Sequence, residues 1–433
     1  MSANGVLPMK NEPILNVEQQ YALERMLAGD NVFLTGPAGT GKTAVIRMFM
    51  QQCRKKLVCL APTGLAALNL GKAVTIHHFF EFGPEMEDPM KQSSPNLLKK
   101  LAAVDVFLID EISMVSSLLL HRIENLLSQA TGCMRPFGGK QIIVVGDFHQ
   151  LPPVISDENL RGYVESKFQS VFAFAARAWI DASFTTIVLR QFIRQRDPDF
   201  IEILQAIRYG NHDMLSILKR LNVRVMPRPD HAVTLCCRRC DADSINQIEL
   251  SKLHDTGKLF VGKITGIFPE EDMPTSMNLT LKRGEKIMLL ANHAGKDGYD
   301  YVNGDIGTVL DYNESMVKVS LKGKIVLVKP HRWTKYDYIF DQEKEILSCC
   351  EIGSYTQMPI ISAYAMTIHK AQGLTLDKVH IHLGNGCFEN GQFYTALSRV
   401  RCMNDLTLEI PAKAGDLIVN PLIQYFSKDG SAV

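Results

Sequence analysis

The segment Gly36-Pro37-Ala38-Gly39-Thr40-Gly41-Lys42-Thr43 fits the pattern G-x-x-x-x-G-K-[ST]. Glycines at these spacings let backbone N–H groups converge on phosphate oxygens, because no side chain stands in the way. A helix opening at the end of such a loop adds partial positive charge. Lys42 is long enough to reach the β- and γ-phosphates of a bound ATP, and Thr43 would set its hydroxyl on Mg2+. A cradle of this kind needs a carboxylate at the end of a neighbouring strand, and Val106-Phe107-Leu108-Ile109-Asp110-Glu111 supplies two. Asp110 is the metal-side ligand, and Glu111 is the candidate for polarising the attacking water. Gly146-Asp147-Phe148-His149-Gln150-Leu151-Pro152-Pro153 follows another apolar run. An amide there contacts both γ-phosphate and water without adding charge, so Gln150 is a sensor candidate. Gln19 could pair its amide with the N6 and N7 edge of adenine. Asn16 followed by Gln19 also reads as a capping box, and the two roles are compatible.

These residues need strands and helices to hold them. Asn16 to Gly29 reads as a helix, Asn31–Thr35 as a short buried strand, and a second helix follows the glycine loop. Apolar runs at Leu57–Leu60, Val104–Ile109 and Ile142–Val145 alternate with helix-like stretches such as Val115–Gln129. Short apolar strands alternating with helices predict an α/β fold with a parallel sheet covered on both faces, and ligands at the carboxyl ends of its strands. A second such pattern starts after about residue 184, with Phe200–Arg208 helical and Ala232–Cys237 strand-like. Between 255 and 357, β-branched runs, turns at Asn303-Gly304 and Lys322-Gly323, and alternation in Met316–Leu321 predict a small antiparallel barrel. The α/β pattern resumes at Ile360–Met366. The expected division is a first unit over 1–184, a discontinuous second unit over 185–254 and 358–433, and an insert over 255–357.

Composition bounds the rest. Over 433 residues, 46% apolar and 21% charged residues describe a folded globular chain and exclude disorder. A net charge of +1 excludes a polycation that binds nucleic acid by bulk charge, so any polyanion must meet a local basic surface. One candidate is Met316–Lys335, where Lys318, Lys322, Lys324, Lys329, Arg332 and Lys335 stand with no acid among them, and Trp333 and Tyr336 offer faces for bases. No apolar run approaches the roughly 18 residues of a membrane span, and the start carries neither a signal-peptide core nor an Arg-rich amphipathic pattern. Sparse cysteines favour a reducing, cytoplasmic setting. Cys237 and Cys240 have C-x-x-C spacing, but no second pair completes four ligands, so packing is the better reading.

Eight ordered blocks carry a family likeness: Gly36–Thr43, Ala61–Ala67, Thr75-Ile76-His77, Ile109–Met114, Pro136–Gly139, Gly146–Pro153, Thr367–Thr375 and Tyr394–Arg399. Together they resemble the helicase motifs of the petite integration frequency family, in the RecD-like branch of superfamily 1, in its bacterial, core-only form. The resemblance implies two RecA-like domains clamping ATP, an SH3-like insert, and a wedge at about 64–100. It also implies movement from 5′ to 3′ on single-stranded DNA and unwinding of tailed or structured DNA in replication, recombination, repair, or telomere and quadruplex processing. A monomer in the nucleoid-associated cytoplasm would fit that role.

Phosphoryl transfer gains most from positive charge on the γ-phosphate in the transition state, and the first unit offers only Lys42 and the metal. Arg399 and Arg194 match the family's two arginine positions. Arg190-Gln191 repeats the dipeptide Arg194-Gln195, so a shifted register would make Arg190 the finger instead. The likeness places Gly373 beside the nucleotide. It places Pro62, Thr63, Gly64, His77, Asn303, Thr367, His369 and Lys370 against DNA, although each histidine could equally be a hydrogen-bonded structural imidazole. Two functions therefore compete: an ATP-driven DNA motor, and a P-loop switch or translocase subunit acting on a partner without strand separation.

Overall fold

In the computed structural model, the described residues are 14–82, 94–155, 157–210, 213–230, 232–295, 298–321, 323–341 and 346–428. Most of the acid- and proline-rich stretch Glu81–Ser94, and Lys322 of the basic run, lie outside them, as does the first part of the N-terminal start.

The first unit opens with α1 (Val17–Ala28), closed by the predicted capping box at Asn16 and Gln19 and by Gly29 at φ 101°. β1 (Val32–Thr35) leads through the glycine loop into α2 (Lys42–Gln52), and β2 (Leu57–Ala61) into α3 (Gly64–Leu70). β3 (Val74–Thr75), α4 (Ile76–Phe79), α5 (Pro95–Ala102), β4 (Val106–Ile109), α6 (Ser117–Thr131), β5 (Gln141–Val145) and β6 (Thr185–Val188) follow. The six strands form one parallel sheet in the order β3-β2-β4-β5-β1-β6. All four residues of β1 are buried. Phe33 faces a core with Phe148 and Trp179, while Val32 and Leu34 face another beneath α1 and α2. Burial on both faces is what a continuous apolar run requires. The loops after β1, β4 and β5 thus leave from the same edge, bringing Lys42, Asp110 and Gln150 together.

The second parallel sheet takes β7 (Val233–Cys236) from before the insert and Ala365–Thr367, Val379–His382 and Leu406–Leu408 from after it. Its core includes Phe393, Tyr394 and Leu397 from the helix Gln392–Leu397. The insert contains an antiparallel five-stranded sheet and a long hairpin, His331–Asp341 with Ile346–Gln357.

Two details differ from the sequence reading. Ile360–Ser362 pairs antiparallel with Lys286–Leu289, so the parallel pattern resumes at Ala365 rather than Ile360. A short apolar run reads alike in either setting. The terminal helix Pro421–Lys428 belongs with the first unit: Ile423 is in its core and Phe426 stacks on Phe174 at 4.3 Å. The preferred packing reading of the C-x-x-C pair holds for Cys237, which lies in the second core with its sulfur 3.7 Å from that of Cys387, while Cys240 is exposed beside Asp241. Among the described residues, no group of three or more His, Cys, Asp or Glu is placed to hold a metal, and no helix is long and apolar enough to cross a membrane.

Candidate nucleotide site and nucleic-acid groove

A cleft of about 380 Å3 opens at the carboxyl edge of the first sheet, a size suited to a small-molecule ligand. Its walls include Ala38, Gly39, Gly41, Lys42, Thr43, Asp110, Glu111 and Gln150 from the first unit, and Arg194, Gly373 and Arg399. Gly36, Pro37 and Thr40 complete the loop behind them. Lys42 Nζ donates to the carbonyls of Gly36 at 2.8 Å and Pro37 at 3.1 Å, and Thr40 Oγ1 donates to the Pro37 carbonyl at 2.9 Å. Gly41 lies at φ 85°, and a Cβ there would stand 2.4 Å from Gln19 Nε2, so only glycine lets α1 come this close. Gln19 is occupied twice over: its Oε1 accepts from the Asn16 N–H, and its Nε2 donates to the Thr40 carbonyl at 3.0 Å.

Asp110 and Glu111 are adjacent in the cleft. Burial, then the neighbouring Glu111 charge, pushes the Asp110 carboxyl up to about 7. Glu111 sits in the left-handed region at φ 50° and ψ 47°, a strained conformation for a non-glycine residue that is characteristic of functional sites. Its Oε2 accepts from Gln372 Nε2 at 3.0 Å, across the seam between the units. A crowded carboxylate pair beside the Thr43 hydroxyl is a hard-oxygen donor set. That fits Mg2+, which binds through one or two carboxylates plus phosphate oxygens. Asp110 and Thr43 are the residues that would hold it, and when bound it neutralises charge on the phosphates.

Between 3.8 and about 7 the folded chain keeps a proton on Asp110 that the unfolded chain has released, so this group's contribution to stability falls as pH rises through that window. Mg2+ is therefore expected to raise the thermal midpoint more at about pH 8 than at about pH 5, and Asp110→Asn should remove the difference. Equal shifts at both pH values in the parent would count against a metal at this pair.

Arg194 and Arg399 enter from the opposite wall. Arg399 is 1% exposed, and its guanidinium donates to the Thr395 carbonyl at 2.8 Å and Ser398 Oγ at 2.6 Å. Arg194 Nη1 donates to the Ser398 carbonyl at 3.0 Å. Burial pushes Arg399 down to about 10; burial, then the Arg399 charge, pushes Arg194 down to about 9. Among the described residues, neither lies within ion-pair distance of a carboxylate. A buried and a half-buried guanidinium without a partner anion among the described residues, facing a phosphate-type loop, are matched by a polyphosphate. Arg190 is elsewhere: it is exposed, with its N–H on Glu18 Oε2.

A second groove, about 470 Å3, shares Thr43, Asp110, Glu111, Gly373 and Thr375 with the cleft. Thr63, Asn303 and His369 meet in it, with His331 and Trp333 of the insert. Pro62 and Gly64 flank Thr63, whose Oγ1 caps α3 by accepting from the Ala66 N–H. Thr367 and Lys370 flank His369; Thr367 Oγ1 accepts from the Lys370 N–H, and the Lys370 side chain is exposed. His77 is not among the groove walls. It lies edge-on to Phe82 at 6.3 Å, and burial, then Arg122, pushes its imidazole down.

The basic run is less available than its charge suggests. Arg332 pairs with Glu351 and Lys335 with Asp272, leaving Lys318, Lys324 and Lys329 exposed. Trp333 is 7% exposed and stacked on Tyr355 at 5.7 Å, so one ring face is already covered and its expected stacking on bases is not supported. The linear run could not show that the acids pairing with these cations lie on other strands.

Sequence reasoning missed the pairing of Asp147 with Arg208. Arg208, on the helix Pro198–Tyr209, bonds the buried Asp147 carboxylate at 2.9 and 3.2 Å. Burial alone would raise that carboxyl, but Arg208 and His149 hold it far below the carboxylate range. Gln372 was also missed, although it lies inside a recognised block, because nothing in the linear pattern shows that it reaches Glu111.

A family model described as PIF1-like helicase matches residues 14–216, and a second, described as helicase, matches 330–418. The ATP-dependent DNA helicase Pif1 of Bdellovibrio bacteriovorus is 32% identical over 98% of this chain and 94% of its own. The crystal structure of Bacteroides sp Pif1 in complex with ADP-AlF4 superposes with a TM-score of 0.87 at 29% identity, covering 97% of this chain and 98% of that one. Bacteroides Pif1 bound to ssDNA gives 0.68 at 30% identity, covering 96% and 97%. With its phosphate loop, paired carboxylates and opposed arginines in one cleft, and a relative of nearly its own length at this identity, the chain belongs to the PIF1-like helicase family.

Proposed function

We propose that this chain is an ATP-dependent DNA helicase, a motor that moves 5′ to 3′ on single-stranded DNA and unwinds tailed or structured duplexes. One observation carries the reading: the cleft and the groove share Thr43, Asp110, Glu111, Gly373 and Thr375. Any change at the γ-phosphate end of the cleft therefore moves walls of the surface offered to DNA. In this reading Lys42 and the loop amides hold the triphosphate, with Mg2+ between its oxygens, Asp110 and Thr43. Glu111 polarises the attacking water while Gln150 orients it, and Arg194 and Arg399 stabilise the charge that develops on the transferred group. Gln19 buttresses the loop from behind, on the side where adenine would lie. Thr63, Asn303 and His369, with Pro62, Gly64, Thr367 and Lys370 beside them, grip the strand. His77 acts on DNA only if α4 turns toward it.

Closing and reopening the seam with each ATP shifts one unit against the other, and loops on both convert the shift into a step. The helices in 64–100 serve as the wedge, and the insert serves as an SH3-like gripping module. A monomer acting on DNA in the nucleoid, in repair, recombination and replication, completes the reading.

Duplexes with a single-stranded tail at one end test it. Unwinding with ATP from a 5′ tail and not from a 3′ tail is expected. Single-stranded DNA should also stimulate ATP turnover, by about tenfold or more, if closure brings the arginines of the second wall onto the γ-phosphate. ATP turnover indifferent to DNA would support a switch, and unwinding only from a 3′ tail would reverse the polarity.

A further inference from the structure

The stretch Asn390–Arg399 of the second unit bonds to the first unit through residues ahead of its terminal arginine. Asn390 Nδ2 donates to the carbonyls of Phe148 and Gln150, at 3.3 Å each. Gly391 stands at φ 67°, and a Cβ there would lie 2.1 Å from the His149 carbonyl oxygen, so the close approach demands glycine. Just beyond, Tyr394 is 2% exposed. Its phenol oxygen accepts the Ala38 N–H of the phosphate loop at 3.0 Å and donates to Asp147 Oδ2 at 3.4 Å. Burial and the Asp147 charge both push the phenol up, so it keeps the proton it donates.

The Tyr394 ring packs in the core of the second unit, a task phenylalanine would perform equally well. The hydroxyl is what packing does not explain. It joins three pieces of the cleft. One is the loop ending in Lys42, another is the turn in which Gln150 follows Asp147 by three residues, and the third is the helix that delivers Arg399 five residues after Tyr394. Asp147 is the common anchor, because its remaining bonds go to Arg208 and His149.

We propose that Tyr394 is a positioning residue for ATP hydrolysis, whose hydroxyl holds the phosphate loop, the Gln150 turn and the Arg399 helix in one register across the seam. The inference rests on the reading of the cleft as an ATP site. Catalysis by placed charges is steep in distance, and a misplacement of about 1 Å costs up to about 100-fold. A buried hydrogen bond that the substrate does not touch, by contrast, contributes little to ground-state affinity.

Tyr394→Phe deletes one oxygen and leaves the ring and the Asp147–Arg208 pair in place. In steady-state assays of the full chain at saturating single-stranded DNA, kcat should fall about tenfold, equivalent to about 1.4 kcal/mol. KM for ATP and Kd for the DNA should stay within about twofold, because the hydroxyl faces neither ligand directly. A kcat within about twofold of the parent would overturn the proposal, as would a rise in KM with kcat unchanged. Lys42→Ala run alongside separates the two levels of inference. If that variant is inactive while Tyr394→Phe matches the parent, only the positioning role fails; if Lys42→Ala still turns over, the ATP-site reading fails first.

Discussion

Lys42→Ala is expected to lower ATP turnover by about a thousandfold or more, with single-stranded DNA bound within about threefold of the parent affinity. The ammonium is the only cation the phosphate loop itself supplies. Burial pushes its pKa down, yet it is held on the carbonyls of Gly36 and Pro37. Those two bonds keep the charge aimed along the loop, so a triphosphate meets it without reorganisation, the condition under which one donor contributes most. DNA binding should survive because Lys42 is absent from the groove walls, although its neighbour Thr43 is among them. The measurements are steady-state ATP turnover and anisotropy of a labelled oligonucleotide. Turnover equal to the parent would remove the loop from the reaction. Loss of both activities would mean that loop and groove cannot be separated in the way their walls suggest.

The parts of this site that the sequence displays are those whose chemistry is local. A glycine loop between a strand and a helix, and a carboxylate pair closing an apolar run, each need only a few consecutive residues, and β1, α2 and β4 put them at one sheet edge. The parallel strands were legible because burial on both faces leaves unbroken apolar runs. What escaped were contacts between distant segments. Arg208 and Asp147 are 61 residues apart, Gln372 and Glu111 261 apart, and Tyr394 and Ala38 356 apart. Nothing in the neighbourhood of each residue shows its distant partner. The terminal helix reads with the second unit, which it follows in sequence, yet packs on the first, since amphipathy shows that Ile423 and Phe426 need a core without saying which. The charge run in the insert misled in the opposite sense: a stretch without acids looks free until folding brings Asp272 and Glu351 beside it.

Arg399→Ala should reduce DNA-stimulated ATP turnover by about 10^3-fold or more, the range found for fingers that complete a phosphoryl-transfer site. The arginine is buried, lacks a carboxylate partner among the described residues, and is pushed down to about 10 by desolvation, so it is waiting for an anion. Removing it should therefore not destabilise the chain as breaking a buried ion pair would. The loss should fall on kcat, with nucleotide affinity changed less than about fivefold, because the charge it answers grows in the transition state. Arg399→Lys provides the sharper contrast. It keeps one positive charge but loses the planar fork now fixed by the Thr395 carbonyl and Ser398 Oγ, and a shorter, rotatable ammonium cannot hold that alignment. Turnover should stay at least about a hundredfold below the parent. If lysine restored the parent rate, charge alone would suffice at this wall and the alignment would be dispensable. If alanine itself kept the parent rate, the second unit would contribute no charge to the reaction, and the shared walls of cleft and groove would have lost their means of linking ATP to DNA.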